Sequence, residues 1–161
     1  MPAERFGRGL ACWSGASCTG RRGRACCSAS VASGGDPDFH AMEGDMHNLA
    51  PAIGELNADR SNRPYGEVPG EPRDYGACDF EVDRASGRMG KVELAPSVRG
   101  DAARAWLYMA EAYGIGLEDE EQRLLLEWAE SDPPDAWERE RNALVEAAQG
   151  NRNPFIDETP R

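Results

Sequence analysis

The sequence predicts an α+β domain, a small mixed sheet beside a helical C-terminal third, folded as one unit over residues 1–161. Three observations predict it. Apolar residues recur at helical spacing through the last third of the chain. The run Asp79-Phe80-Glu81-Val82-Asp83 alternates polar and apolar in the manner of a half-buried strand. A chain of 161 residues can bury one core but is short for two.

Residues 1–35 consist mainly of Gly, Ser, Ala, Cys and Arg without apolar periodicity, so they read as an irregular Arg/Cys-rich loop region. Four of the five cysteines, Cys12, Cys18, Cys26 and Cys27, fall there, a setting in which disulfides replace packing. A zinc site needs paired ligand spacing, which the adjacency of Cys26 and Cys27 does not provide. Pro51 then suits the first position of a short helix over 52–58, because its missing N–H would be unpaired there anyway. Asn62-Arg63-Pro64 disfavours continuation, since the residue before a proline is pushed out of the helical region.

Between Tyr65 and Ser97 the chain is rich in Gly and Pro, with strands expected at 79–83 and 91–94. The helical scaffold spans 98–149. Val98, Ala102, Ala105, Trp106, Met109 and Tyr113 share one face of an amphipathic helix that Gly114 ends. A second helix covers roughly 119–130, with Leu124, Leu125 and Trp128 inward. Pro133-Pro134 breaks the chain, Asp135 and Glu138 form a capping box, and a third helix runs to Gln149 with Gly150 as its stop. Trp106, Trp128 and Trp137 are expected in the core.

A net charge of −11 argues against a dedicated nucleic-acid binder, because phosphate affinity comes mainly from Lys and Arg. The basic charge is nevertheless concentrated: Arg5, Arg8, Arg21, Arg22 and Arg24 stand against the single acid Glu4 in residues 1–35. That segment is either a phosphate-facing arm or a flexible loop. No run approaches the roughly 18 apolar residues of a membrane helix, so no membrane partner is expected. The start at Met1-Pro2-Ala3 lacks the basic and apolar regions of a signal peptide.

The densest set of polar groups in a helix-forming context is DMHNLAPAIGELNADRSN, residues 45–62, which holds the active-site helix segment if there is one. Asn57 stands out, since asparagine is a mediocre helix former and a side-chain carbonyl can ligate a hard cation such as Mg²⁺. The other reading is that Asn57 caps or hydrogen-bonds the helix end.

Residues 45–62 closely resemble the most recognisable stretch of the bacterial endonuclease I family. YGACDFEVD (75–83), RGDAARAWLYM (99–109) and AAQGNRNPF (147–155) resemble the same family in the same order, so the similarity covers roughly residues 2–156. The resemblance implies a ββα-metal (His-Me finger) nuclease that cuts DNA, possibly also RNA, with little sequence preference. It implies a Mg²⁺ ion held by a glutamate and an asparagine, a neighbouring histidine that activates water, a secreted or periplasmic location, and a monomer. Asn57 matches the metal-binding asparagine. Gly23-Arg24-Ala25-Cys26-Cys27 resembles a family segment that places Arg24 as a phosphate clamp and Cys27 as a disulfide partner, with Cys12 a candidate mate; Arg21 and Arg22 are neighbours that could take the clamp role.

Two departures follow. The family's Glu-His pair precedes a Pro-Ala sequence that here is Pro2-Ala3, so the general base is not in the chain as given and the first strand of the motif is missing or incomplete. His40 lies in a loop-like stretch, and His47, the candidate substitute, matches a position other than the family's base. The family position that would bond Cys78 corresponds to Arg139, which leaves Cys78 unpaired. The two functional expectations are therefore a Mg²⁺-dependent endonuclease whose natural start lies upstream in an exported precursor, and a non-catalytic remnant that binds nucleic acid weakly or serves as an interaction module.

Overall fold

The computed structural model describes residues 37–70, 73–87 and 90–157. In chain order they form α1 (Pro37–Gly44), a 3₁₀ turn (Met46–Asn48), α2 (Gly54–Arg60), β1 (Phe80–Val82), β2 (Val92–Leu94), a second 3₁₀ turn (Pro96–Val98), α3 (Arg99–Tyr113), α4 (Asp119–Ser131), α5 (Ala136–Gln149) and α6 (Pro154–Asp157). The strands pair antiparallel, with Phe80 opposite Leu94, Glu81 opposite Glu93 and Val82 opposite Val92. Tyr65 adds a parallel bridge to Val92 on the free side of β2. The fold is α+β, as the sequence predicts.

The core lies where the hairpin meets α3 and α4: Phe80, Val92 and Leu94 pack with Ala102, Met109 and Leu125. Each large apolar side chain there contributes about 1.5–3 kcal/mol of burial. Helix α3 ends where expected, with Gly114 in the left-handed conformation (φ 61°) and its N–H on the Ala110 carbonyl. Its N-terminus needs Gly100 for a different reason: a Cβ there would stand 1.9 Å from the Asp132 carbonyl oxygen, so only glycine allows α3 to approach the end of α4.

The amphipathic expectation for α3 is corrected, because Ala102 to Met109 are all buried, including Arg104 and Tyr108. Over that stretch the helix packs against α4, the 45–48 turn, the second 3₁₀ turn and α6, and shares its core with the hairpin. Arg104 tolerates this because all five of its N–H donors are engaged. Nε and one terminal nitrogen reach both oxygens of Glu138, that terminal nitrogen also reaches Asp101, and the other reaches the Ala129 and Asp132 carbonyls. The bidentate pair crosses from α3 to α5.

The N-terminus of α5 is capped at Asp135. Asp135 accepts from the Glu138 N–H at 2.8 Å, but the Glu138 carboxylate turns inward to Arg104. Asn142 of α5 completes the body: its side-chain amide donates to the Asn153 carbonyl and accepts from the Asn153 N–H, both at 2.9 Å, as a backbone segment would.

Three further expectations shift. Helix α2 begins at Gly54 rather than just after Pro51, because Ile53 remains extended and Arg141 holds the Met46 and Leu49 carbonyls against α5. The strand expected at 79–83 spans Phe80–Val82 and is buried throughout, Glu81 included, with Arg73 of the preceding turn 3.9 Å from the Glu81 carboxylate. Trp106 and Trp128 are core residues as expected, but Trp137 is half-buried with Arg141 over its ring. Among the described residues no helix is long and apolar enough to cross a membrane.

Candidate functional site

Asp45 organises the segment that leads to α2. Its carboxylate is 4% exposed and accepts four hydrogen bonds: the His47 N–H (2.8 Å), Gln149 Nε2 (2.8 Å), and the Tyr108 and Tyr113 hydroxyls (2.6 and 2.8 Å). Burial pushes this carboxyl up, but the bonds from Tyr108, Gln149, His47 and Tyr113 outweigh it and hold it below the usual range. Asn151 Nδ2 donates in turn to the Tyr108 hydroxyl at 2.6 Å, and Gln149 Oε1 accepts from the Met46 N–H at 2.9 Å. Residues from three distant stretches, 45–47, 108–113 and 149–151, thus share one buried network.

His47 belongs to that network. Its ring meets Tyr108 edge-on at 4.6 Å, and Nε2 lies 3.3 Å from the Asn151 carbonyl. Burial lowers its pKa, against the Asn151 carbonyl and Asp45, which raise it, so the neutral ring is favoured. At 2% exposure it is enclosed by protein. His40 is exposed on α1 beside Glu43.

Asn57 stands on the opposite footing. It lies in the middle of α2 with its N–H on the Ile53 carbonyl and its carbonyl on the Ser61 N–H, while its side chain is exposed and makes no hydrogen bond to any described residue. The expectation of an ordinary helix-end role is met only by its backbone. Around it the helix is anchored: Leu56 enters the core, Arg60 lies with its guanidinium 4.7 Å from the Tyr65 ring centre, and Asp59 accepts from Tyr75 Oη (2.5 Å) and Arg84 (2.9 Å).

Arg84 also donates to Tyr75 Oη at 2.7 Å and pairs with Asp74 at 3.6 Å. The hydrogen bonds from Tyr75 and then Arg84 hold Asp59 below the carboxylate range, and burial together with Asp59 pushes the Tyr75 hydroxyl far up. Asp59 lies within the polar stretch 45–62 that the sequence singles out, whereas its partnership with Tyr75 and Arg84 is made only by folding.

Arg24 and the cysteines at 12, 18, 26 and 27 lie outside the described residues. Cys78 is disulfide-bonded, which corrects the expectation of an unpaired thiol; the match of its usual partner position to Arg139 identified one lost mate, and the chain holds four other cysteines. Among the described residues no group of three or more His, Cys, Asp or Glu is gathered to hold a metal. Asn57 supplies one neutral amide oxygen, a single donor of the several a hard cation takes.

The described residues form a helix-dominated α+β body with a short antiparallel hairpin. A family model described as Endonuclease I matches residues 11–160, and the chain belongs to that family. It is 43% identical over 157 residues to a periplasmic deoxyribonuclease of Aeromonas hydrophila, covering 98% of this chain and 60% of that protein. It is 35% identical over 156 residues to an endonuclease-1 of Buchnera aphidicola (97% and 56%), and 33% identical over 148 residues to an extracellular ribonuclease of Bacillus subtilis (74% and 46%). The chain spans about three fifths of the length of the first curated relatives it matches.

Proposed function

We propose that this chain is part of a divalent-metal-dependent, sequence-non-specific endonuclease that hydrolyses phosphodiester bonds of DNA, and of RNA as a second substrate. The observation that carries the reading is Asn57: an exposed amide side chain without a hydrogen bond to any described residue, on a two-turn helix that is otherwise pinned to the body on several sides. A rigidly presented amide oxygen is suited to serve as one ligand of a hard cation. Relatives called deoxyribonuclease and ribonuclease support the substrate class.

Bound Mg²⁺ would supply stabilisation of charge developing on the phosphate and the leaving oxygen. The chain's own residues then divide the work. Asn57 offers the oxygen ligand, and the rigid attachment of α2 fixes where that oxygen stands. Arg24 binds the phosphate through its planar fork. His47 is assigned to packing, because an enclosed ring seated on Tyr108 and the Asn151 carbonyl is poorly placed to exchange protons with a substrate. A secreted or periplasmic location is supported by relatives called periplasmic or extracellular and by the Cys78 disulfide, which persists in oxidising compartments.

The test is cleavage of supercoiled plasmid by the full-length protein of which this chain is part, with Mg²⁺, with EDTA, and as Asn57→Ala. Cleavage that requires Mg²⁺ and falls by about 10²-fold or more in Asn57→Ala is expected, with stability unchanged within about 0.5 kcal/mol because the residue is exposed. Metal-dependent cleavage that survives Asn57→Ala would remove Asn57 from the site. Salt-sensitive DNA binding without turnover would favour the non-catalytic, nucleic-acid-binding reading instead.

A further inference from the structure

The segment 45–53 carries the chain from α1 to α2, and side chains rather than regular structure hold it to the helical body. Four consecutive amides define its fold: Met46 N–H donates to Gln149 Oε1, His47 N–H to Asp45 Oδ1, Asn48 N–H to the Asp45 carbonyl and Leu49 N–H to the Met46 carbonyl. Arg141 of α5 adds bonds to the Met46 and Leu49 carbonyls. His47 lies within this stretch at 2% exposure, its ring edge-on to Tyr108.

The surroundings of that ring suit only its neutral form. Nε2 faces the Asn151 carbonyl at 3.3 Å, an acceptor, so the single ring proton belongs on Nε2. Nδ1 is buried and has no hydrogen-bond partner among the described residues. A second proton would make Nδ1 a buried donor in need of an acceptor. The carboxylate of the network is already filled: Asp45 Oδ1 accepts from the His47 N–H and Gln149, and Oδ2 from the Tyr108 and Tyr113 hydroxyls. A carboxylate offers about four lone-pair sites, and all are taken. The imidazolium can be satisfied only by leaving its place.

The charges around the ring act in the same sense on balance. Burial disfavours the second proton most, the Asn151 carbonyl and Asp45 favour it, and Arg141 and Arg152 disfavour it, so the ring takes its proton less readily than a free imidazole. Tyr108 and Tyr113 are the titratable groups that α3 presents, and α1 contributes His40 and Glu43, which pair with each other at the surface. An open segment lets His47 ionise in the ordinary imidazole range near pH 6.5. The closed state then holds fewer protons than the open one, so the stability of the closed segment is full above that range and is lost as pH falls through it.

We propose that His47 is an acid-sensitive latch: a proton on its ring releases the 45–53 segment, and with it the approach to α2, from α3 and α5. The latch acts on the protein's own fold and does not depend on what Asn57 binds.

The experiment uses the full-length protein of which this chain is part, with His47→Gln, whose amide can donate to the Asn151 carbonyl but takes no proton, and with His40→Gln as the exposed control. Hydrogen–deuterium exchange is followed by mass spectrometry at about pH 7.5 and about pH 5, with exchange times scaled for the intrinsic pH dependence. One peptide holds the amides of 46–49, and another comes from the buried stretch of α3. The expected result is protection of 46–49 lowered on the order of tenfold at the acid pH in the parent and in His40→Gln, unchanged within about twofold in α3, and not lowered in His47→Gln.

A fall of the same size in His47→Gln assigns the acid response to another group and overturns the latch, as does the absence of a fall in the parent. A fall shared by α3 marks general acid unfolding and overturns it too. If His47→Gln already lacks protection of the segment at neutral pH, the parent's histidine ring signals decide, with His47 assigned through its contact with Tyr108. A ring that takes its proton in step with the loss of protection supports the latch; a ring that takes it while the segment stays protected overturns it.

Discussion

Two arginines are buried almost equally in this molecule, and their surroundings differ sharply. Arg104, at 0% exposure in the helical body, has every N–H donor on a protein acceptor, two of them on the Glu138 carboxylate. Arg60, at 3% exposure near the end of α2, donates to the Ser61 carbonyl, faces the Tyr65 ring, and leaves its Nε without a partner among the described residues. The body is built as a closed polar network that specifies one arrangement. The end of α2 carries an orphan donor and a strained backbone, features that gather where a protein serves something other than its own stability.

The largest effect should come from testing that contrast directly. Arg104→Met strands Glu138 and Asp101 as buried acids and is expected to cost about 3–5 kcal/mol. Arg60→Met loses one hydrogen bond and a cation–π contact, and is expected to cost about 1–2 kcal/mol. Urea unfolding of both variants measures the gap. Equal costs would mean that Arg60 has partners equivalent to those of Arg104, and the contrast would fail.

The body's network also has a pH signature. Burial, and then the Glu138 carboxylate beside it, push Asp101 up to about 8 despite Arg104. The native state therefore keeps a proton that the unfolded chain releases near pH 4, so this contribution is full below pH 4 and is lost as pH rises toward 8. Asp45 runs the other way: its depressed pKa contributes stability above pH 4 that is lost only on acidification. Asp101→Asn mimics the protonated acid. It should flatten the decline in melting temperature between pH 5 and 8 and leave the variant on the order of 1–2 kcal/mol more stable than the parent at pH 8. An unchanged slope would show that Asp101 is ionised in the native state.

The contrast also marks what could be read from the sequence. Gly114, Gly150 and Asp135 announce helix ends through backbone rules that act within a few residues, and each stands where those rules put it. The two strands are likewise local patterns. Glu138 illustrates the limit, since local rules mark it for a capping box while its carboxylate bonds to Arg104, 34 residues away. The all-round burial of α3 and the disulfide at Cys78 depend on distant chain in the same way.

For the site, Asn57 stands out by its residue type in a helix and by the resemblance of 45–62 to a family, but its exposure is not readable from its neighbours. The four resembling stretches share a physical logic visible only after folding. Asp45, Tyr108 and Asn151 join three of them in one network, while Tyr75 joins the fourth to Asp59.

The smallest predicted effect falls at the other end of the contrast. Ser61 closes α2 with φ 49° and ψ −127°, and the Arg63 N–H returns to the Arg60 carbonyl at 3.1 Å, so Ser61 occupies the turn position that normally requires glycine. A Cβ in this conformation costs about 1 kcal/mol or more. Ser61→Gly relieves that cost but loosens the unfolded chain, so the net gain expected is about 0.5–1 kcal/mol, measured as a higher urea midpoint at unchanged slope. A lower midpoint would mean that the serine side chain holds the turn, and that the strain belongs to the stability of α2 rather than to the demands on its exposed face.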